Sequence, residues 1–349
     1  MRYKAGVIGC GRIGSEFDND PGKEGTSTHA GAYSSMAKVE LAALSDLDES
    51  RLEKAGKRWG VSHLYQDYRE MLRREKLDII SICTWPPSSH AEIAMESIKY
   101  GVRAIFCEKP IADSLKNADE MIKRCREKGV VLQVDHQRRF DTLHQDVKAY
   151  IREGNLGGMQ QVTFYYTRGI ANTGSHVFDL LRFFFGDVDW VQAVNSRNKS
   201  PNPDDPNIDG MLKFNSGLFG SIQACDDKNY LIFELDCLGE KGRLNLKYNV
   251  LHDTVDLEFY KVSEPAQSSS YNSLISAPSP IVTGRPDESI LNSVKHLIRC
   301  LEEKTASISS GEDGRAALEL ICAFRESADA DGRKVSLPLK NSSIVIKSR

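Results

Sequence analysis

Short apolar runs separated by amphipathic stretches set the rhythm of the first part of this chain. Lys4 to Ile8, Val39 to Leu44, Leu77 to Thr84, the run through Ile105-Phe106-Cys107, and Val130 to Val134 read as buried strands. Between them, Asp48 to Trp59 places Leu52, Ala55 and Trp59 on one helical face, and Asp67 to Lys76 predicts a second helix. A third ends at Gly101, and a fourth runs from an N-cap at Ser114 to a stop at Gly129. Strands separated by helices in this way predict a doubly wound α/β domain with a parallel sheet over residues 1–138.

Beyond that point the pattern changes. Thr142 to Glu153 is amphipathic, Gln160 to Thr167 reads as a strand, and a helix carrying Leu180, Leu181 and Phe184 stops at Gly186. Alternating segments follow at Val188 to Arg197, Asp209 to Phe214, Leu218 to Cys225, Leu231 to Leu238, Arg243 to Tyr248 and Thr254 to Val262. Asn215-Ser216-Gly217 and Gly239-Glu240-Lys241-Gly242 supply hairpin turns. Residues 139–349 are therefore expected to form an α+β domain with a large open, mostly antiparallel sheet. Ser263 to Pro286 reads as a long loop. Helices at Glu288 to Glu303 and Glu312 to Asp329 follow, the last packing back towards the first domain.

Composition narrows the function. Lys plus Arg number 46 against 49 Asp plus Glu, a net charge of -3, which offers no basic face to nucleic acid or an acidic membrane. No apolar run approaches the roughly 20 residues that cross a bilayer. The start, Met1-Arg2-Tyr3-Lys4, runs into a strand without a signal peptide, so a cytoplasmic protein is expected. The 8 cysteines form no CxxC pair and read as buried thiols, with no metal site expected.

Candidate chemistry begins directly after the first strand. Gly9-Cys10-Gly11-Arg12-Ile13-Gly14 is a GxGxxG turn in the context of a dinucleotide site. The second strand ends at Ser45-Asp46, and a carboxylate there accepts ribose hydroxyls and repels a 2′-phosphate, which favours NAD over NADP. Asp46 lies later than the usual spacing because residues 18–28 interrupt the crossover with a Gly/Pro/Asp-rich loop. That loop is either part of a substrate wall or a tolerated surface insertion. His29, just after it, reads as a local structural histidine. At the end of the Ile105-Phe106-Cys107 run stand Glu108-Lys109-Pro110, and a cis bond at Pro110 would aim Lys109. An ammonium at the carboxyl edge of a parallel sheet is either used by a ligand or belongs to a solvated turn.

The ordered set of GxGxxG, Asp46, Thr84-Trp85-Pro86-Pro87-x-x-His90, Glu108-Lys109-Pro110 and Arg138-Arg139-Phe140 resembles the glucose–fructose oxidoreductase and inositol dehydrogenase (Gfo/Idh/MocA) family over essentially the whole chain. The resemblance implies a Rossmann domain that holds NAD through Gly9, Gly11, Arg12, Ile13, Gly14, Asp46, Thr84, Trp85, Pro86, His90, Glu108, Lys109 and Gln137. It implies that Lys109 and His176 face the nicotinamide C4. It also implies a homodimer or homotetramer formed through the second sheet.

A histidine suits proton exchange with a secondary alcohol, and a lysine beside the reacting oxygen can stabilise alkoxide or share the proton. The other reading of His176 is a helix-end residue satisfied by Asp179, which lies three positions on along the same face. Asn172 stands where inositol dehydrogenase-like members carry an aspartate, so it can orient a hydroxyl but cannot take its proton. Asn172, Asp179, His136, Arg138 and Arg168 are the expected substrate contacts; the arginines either hold a phosphate or carboxylate or pair with carboxylates of the protein. The Asn172-x-Gly174-Ser175-His176 version resembles members acting on amino-sugar derivatives, including UDP-N-acetylglucosamine 3-dehydrogenases and sialic-acid-related oxidoreductases. A free-sugar or inositol dehydrogenase and a non-catalytic NAD-binding sensor are the alternatives.

Overall fold

The computed structural model describes residues 2–20, 25–249, 254–264, 271–283, 288–340 and 343–347. The chain divides into two compact units, Met1–Asp141 with Pro286–Leu318, and Thr142–Arg285 with Glu319–Arg349.

In the first unit, β1 (Tyr3–Ile8), β2 (Val39–Ser45), β3 (Leu64–Tyr65), β4 (Ile79–Ile82), β5 (Ala104–Cys107) and β6 (Val131–Val134) form one sheet ordered β3-β2-β1-β4-β5-β6. Every pairing is parallel. That order reverses direction at β1, so the carboxyl ends of β1 and β4 flank the crevice where such sheets bind ligands. The helices α1 (His29–Ser34), α2 (Glu49–Trp59), α3 (Tyr68–Arg74), α4 (Ser88–Lys99) and α5 (Leu115–Lys128) connect the strands. Asp48, Asp67 and Ser114 cap α2, α3 and α5 by accepting amides of Arg51, Arg69 and Asn117. Gly60 and Gly129 end α2 and α5 in the left-handed conformation.

One helix departs from the expected division at residues 138 and 139. In the second unit come α6 (Thr142–Arg152), β7 (Met159–Tyr166), α7 (Gly174–Phe185), β8 (Val188–Asn195), β9 (Ile208–Phe214), β10 (Phe219–Ala224), β11 (Phe233–Gly239), β12 (Gly242–Asn249), β13 (Thr254–Val262) and β14 (Leu274–Ala277). The chain then returns to the first unit with α8 (Ser289–Glu303), whose Ile290, Val294, Leu297, Ile298 and Leu301 join the core of Ala5, Val7, Tyr33 and Phe106. Their helical spacing builds one apolar stripe, and burying it decides which unit keeps the helix. The final helix, α9 (Gly311–Asp329), is shared. Gly314 lies so close to β6 that a Cβ would sit 2.7 Å from Val134, while Phe324 packs on Phe178 of α7 with ring centroids 4.8 Å apart.

With β15 (Val335–Ser336), the second sheet is ordered β14-β13-β12-β11-β7-β10-β9-β8-β15. It is antiparallel except for β7 beside β10, and both anticipated hairpins form. One face is apolar and buried, with Phe164, Tyr166, Leu212, Ile222, Leu235 and Leu246. The other carries cross-strand polar pairs such as Thr163 with Ser221 and Arg243 with Asp236, beside Trp190 stacked edge-on to Phe219. The stretch read as a long loop from 263 to 286 contains β14, paired with β13; residues 265–270 and 284–287 lie outside the described residues. β14 and β15 escaped the sequence reading because an edge strand with one neighbour needs no apolar alternation.

Candidate functional site

The glycine turn after β1 has the geometry of a dinucleotide cradle. Gly9 has φ +95°, and a Cβ there would lie 2.6 Å from the Cys83 carbonyl oxygen. A Cβ on Gly14 would lie 2.0 Å from the Gly9 carbonyl oxygen. Gly11, in contrast, faces open space, with nothing within 4 Å of where its Cβ would be. Packing therefore demands the first and third glycines, and the second leaves a bare backbone where a pyrophosphate approaches. These residues fit the nicotinamide dinucleotide.

In place of a regular helix, a single π turn, Arg12–Glu16, and a 3-10 turn, Phe17–Asn19, follow this turn before α1 begins. The inserted loop causes the break, and its two ends are stapled. Asp18 accepts the Ser27 amide at 2.6 Å and the Thr28 hydroxyl, and Thr28 caps α1 through the Gly31 amide. Arg12 pairs with Asp20 at 2.8 and 2.5 Å, so its guanidinium is committed to the loop. Residues 21–24, the middle of the loop, lie outside the described residues.

Asp46 stands at the end of β2, where it accepts the amides of Cys10 at 2.7 Å and Asp48 at 2.9 Å. Arg51 approaches it at 3.3 Å and also faces Glu16 and Asp48. The carboxylate thus ties the glycine turn to the end of β2, where its negative charge would repel a 2′-phosphate. Asp46→Ser removes that repulsion and frees part of the Arg51 charge. It is expected to shift the NAD-to-NADP preference by about 10²-fold towards NADP, measured as the ratio of the two dissociation constants.

Glu108 and Asp135 end the adjacent strands β5 and β6, and His29 of α1 lies against both. His29 Nε2 is 3.1 Å from Glu108 and 3.7 Å from Asp135, and Nδ1 is 2.8 Å from Ser81 Oγ, which also meets the Tyr33 hydroxyl at 2.7 Å. Burial works against a charge on His29, but Cys83, Asp135 and Glu108 more than offset it and hold its pKa well above the usual imidazole range. Burial likewise opposes the Glu108 charge, yet the hydrogen bond and charge of His29 keep its carboxyl below the ordinary range. Asp135, 2% exposed, is pushed up to about 7, first by burial and then by the Glu108 charge. The three groups form a buried set whose charges depend on each other.

Linkage gives this set a pH signature. Between the 3.8 of an ordinary aspartate and about 7, the folded protein keeps the Asp135 proton that the unfolded chain releases, so this group's contribution to stability falls as pH rises through that window. Asp135→Asn is expected to abolish that slope. Denaturant unfolding at about pH 5 and about pH 8 should show the wild type losing relative to the variant by a few kcal/mol at the higher pH.

Lys109 follows Glu108 directly, partly buried, with its amide 3.3 Å from the Glu108 carboxylate and a cis bond to Pro110 as anticipated. His90 is a buried strut between the two neighbouring turns, its ring nitrogens 3.0 Å from the carbonyl oxygens of Thr84 and Pro110. Burial lowers its pKa, against these hydrogen bonds to the two carbonyls. Thr84 bonds Ser89 Oγ at 2.7 Å, while Trp85 is 51% exposed beside the exposed Pro86. Beyond β6, His136 is buried, and Gln137–Phe140 form a 3-10 turn with Gln137 and Arg138 partly exposed. Arg139 takes the structural role, pairing with Asp313 at 3.1 Å and donating to the Ile308 carbonyl at 2.7 Å.

The second unit gathers the remaining candidates on one segment. Arg168 and Gly169 adopt positive φ, the π turn Gly169–Thr173 follows, and α7 begins at Gly174. Asn172 lies on the π turn and His176 in the first turn of α7, both partly exposed. Arg168 is exposed and 3.5 Å from Asp227, and Asp179 is buried on the inner side of α7. The sequence reading assigned no role to Asp135, or to Asp205, whose carboxylate accepts the amides of Ala171 and Asn172 at 2.8 Å each. Asp135 carried a usable signal, a charge at the end of an apolar strand like Glu108. Asp205 sits in a run of Pro, Asp and Asn that reads simply as a turn.

Among known proteins, residues 3–136 match the family model for an oxidoreductase family's NAD-binding Rossmann fold, and residues 167–337 match that family's C-terminal alpha/beta domain. D-apiose dehydrogenase of Paraburkholderia graminis is 29% identical, covering 96% of this chain and 90% of the relative. Myo-inositol 2-dehydrogenase of Thermotoga maritima is 27% identical, covering 96% and 98%. The solved WlbA dehydrogenase of Bordetella pertussis, in complex with NADH and UDP-GlcNAcA, superposes with a TM-score of 0.77 at 25% identity over 97% of this chain and all of its own. Among the described residues no helix is long and apolar enough to cross a membrane. The chain belongs to the Gfo/Idh/MocA oxidoreductase family, with an NAD-binding Rossmann domain and that family's C-terminal alpha/beta domain.

Proposed function

We propose that this cytoplasmic oxidoreductase moves a hydride between the nicotinamide of NAD and a secondary carbinol or ketone of a sugar. The observation that carries the reading is Lys109, placed by Glu108 and Pro110 at the carboxyl edge of the sheet that holds the glycine turn. Bound NAD would supply the hydride acceptor for the carbinol carbon. The protein must then accept the hydroxyl proton as the carbon–oxygen double bond forms, and return it in the reverse direction. His176 and Lys109 are assigned this exchange and the stabilisation of the developing oxyanion. Asn172 orients a hydroxyl, and Arg138 and Arg168 serve an anionic part of the substrate.

An N-acetylated or nucleotide-linked sugar is the preferred substrate. Asn172 in place of a carboxylate supports this, as does the likeness to WlbA with its UDP-sugar ligand. A free sugar or inositol is the second reading, supported by the D-apiose and myo-inositol dehydrogenases that match nearly the whole chain. Calorimetric titration of the NADH complex with UDP-N-acetylglucosamine, D-apiose and myo-inositol tests the choice. The first reading expects the nucleotide sugar to bind at least about tenfold more tightly, and binding of a free sugar alone reverses the order. Two or four copies are proposed to associate through the outer face of the second sheet, where Met211 and Phe219 are exposed and Trp190 is partly exposed. Light scattering that shows a monomer would contradict this.

A further inference from the structure

The first amides of a helical segment have no acceptors within it, and a buried segment must find them elsewhere. In the second unit, each of these amides in the turn that carries Asn172 is met by a single tripeptide. Gly169 N–H donates to the Asn207 side-chain oxygen at 2.8 Å, and Ile170 N–H donates to the Pro206 carbonyl at 3.0 Å. Ala171 and Asn172 N–H donate to the two oxygens of Asp205, each at 2.8 Å. Asp205 is 1% exposed, and both bonds to it are charge-assisted.

The fit is tight enough to dictate the chain it holds. Gly169 has φ +89°, and a Cβ there would lie 2.3 Å from Asp205 Oδ2. The preceding Arg168 adopts φ +71°, a conformation that side chains other than glycine rarely take and that persists only where surrounding bonds over-determine it. The tripeptide is itself anchored, since Asn207 donates to the Cys225 carbonyl at 3.0 Å and its own carbonyl accepts the Ser196 amide at 3.0 Å. A loop of the sheet therefore fixes, amide by amide, the turn that leads into α7.

We propose that Asp205, with Pro206 and Asn207, is the positioning device of the active site: it sets where Asn172 and His176 stand. The proposal rests on the catalytic reading of those two residues given above. Asp205 touches no substrate in this account and acts through the turn alone. Asp205→Asn keeps one acceptor and presents an amide group to the second N–H, so one of the two amides loses its partner.

The test compares wild type and Asp205→Asn by hydrogen exchange of the peptide spanning 168–176, by NMR titration of the His176 ring, and by NADH binding. Asp205→Ala serves as the stronger variant, and Gly169→Ala disturbs the same contact from the other side. The expected result is exchange at Ala171 and Asn172 faster by about tenfold or more and a displaced His176 titration. The NADH dissociation constant should change by less than about twofold, because the cofactor turn lies in the other unit. Unchanged exchange and an unchanged His176 titration would overturn the proposal, as would a parallel loss of NADH binding that marks general unfolding. None of these readouts needs turnover, so they are separable from the catalytic assignment. On a sugar that the wild type turns over, His176→Ala with full activity would refute that assignment, whereas an inactive His176→Ala beside a fully active Asp205→Asn would refute the positioning role.

Discussion

Lys109→Ala and His176→Ala are each expected to lower kcat about 10²- to 10⁴-fold, the range in which a positioned acid–base group contributes. Lys109 is only partly buried, so truncating it leaves the core of the first unit intact. The NADH dissociation constant should therefore stay within a few-fold of wild type. Lys109→Arg is expected to fail nearly as badly, because a guanidinium does not give up its proton in this range and spreads its charge over a planar fork. For His176, in the first turn of α7, the turn leading into the helix stays held by the Asp205 tripeptide after truncation, so the loss should fall on kcat rather than on folding. Rapid-mixing kinetics separates the two effects, since the chemical step is read apart from cofactor binding. Full activity in both variants on a sugar that the wild type oxidises would remove the mechanism proposed here.

The largest effect on stability is expected from His29→Ala. The imidazole is fully buried and lies against Glu108, Asp135 and Ser81. Its removal leaves two carboxyl groups side by side at the ends of β5 and β6 with no cation between them. Breaking a buried charged set from one side costs about 3–5 kcal/mol, more than the pair contributes when intact. The sign of the pH dependence follows from the raised His29 pKa: the stabilisation is complete below the ordinary imidazole value and fades as pH rises through the higher folded value. Urea unfolding should thus show the difference between wild type and His29→Ala shrinking in the alkaline range. His29→Ala combined with Glu108→Gln should recover part of the loss, because it removes one of the stranded charges.

Much of the architecture was legible because it rests on periodicity. The parallel sheet follows from apolar runs punctuated by Gly101, Gly129 and the Asp48, Asp67 and Ser114 caps, all of which act locally. The glycine turn could be read for the same reason, since its first and third glycines are demanded by local backbone packing. The ownership of α8 could not. Its apolar stripe requires a partner surface, but periodicity does not say which one, and only the fit of Ile290, Val294 and Leu297 into the first core decides it. His29 illustrates a different limit. It was read as local and structural, yet its meaning depends on Glu108 and Asp135, residues far away in sequence that the sheet brings beside it. Asp205 is hidden more deeply still, because its partners are backbone amides, which every residue carries and no pattern of side chains reveals.

Hydride exchange between NAD and a sugar carbinol is the reaction proposed for this protein. It is tested most directly by mixing stoichiometric wild-type protein with NAD and UDP-N-acetylglucosamine, then D-apiose and myo-inositol, and following the absorbance of reduced nicotinamide through a single turnover. Enzyme-scale amounts are needed because alcohol oxidation by NAD is uphill near neutral pH. A rise is expected with at least one of these sugars, and with that sugar a rise slower by about 10²-fold or more in Lys109→Ala that still binds NAD. Confirmed NAD binding with no reduction by any sugar would contradict it and leave a dinucleotide-binding sensor as the better description.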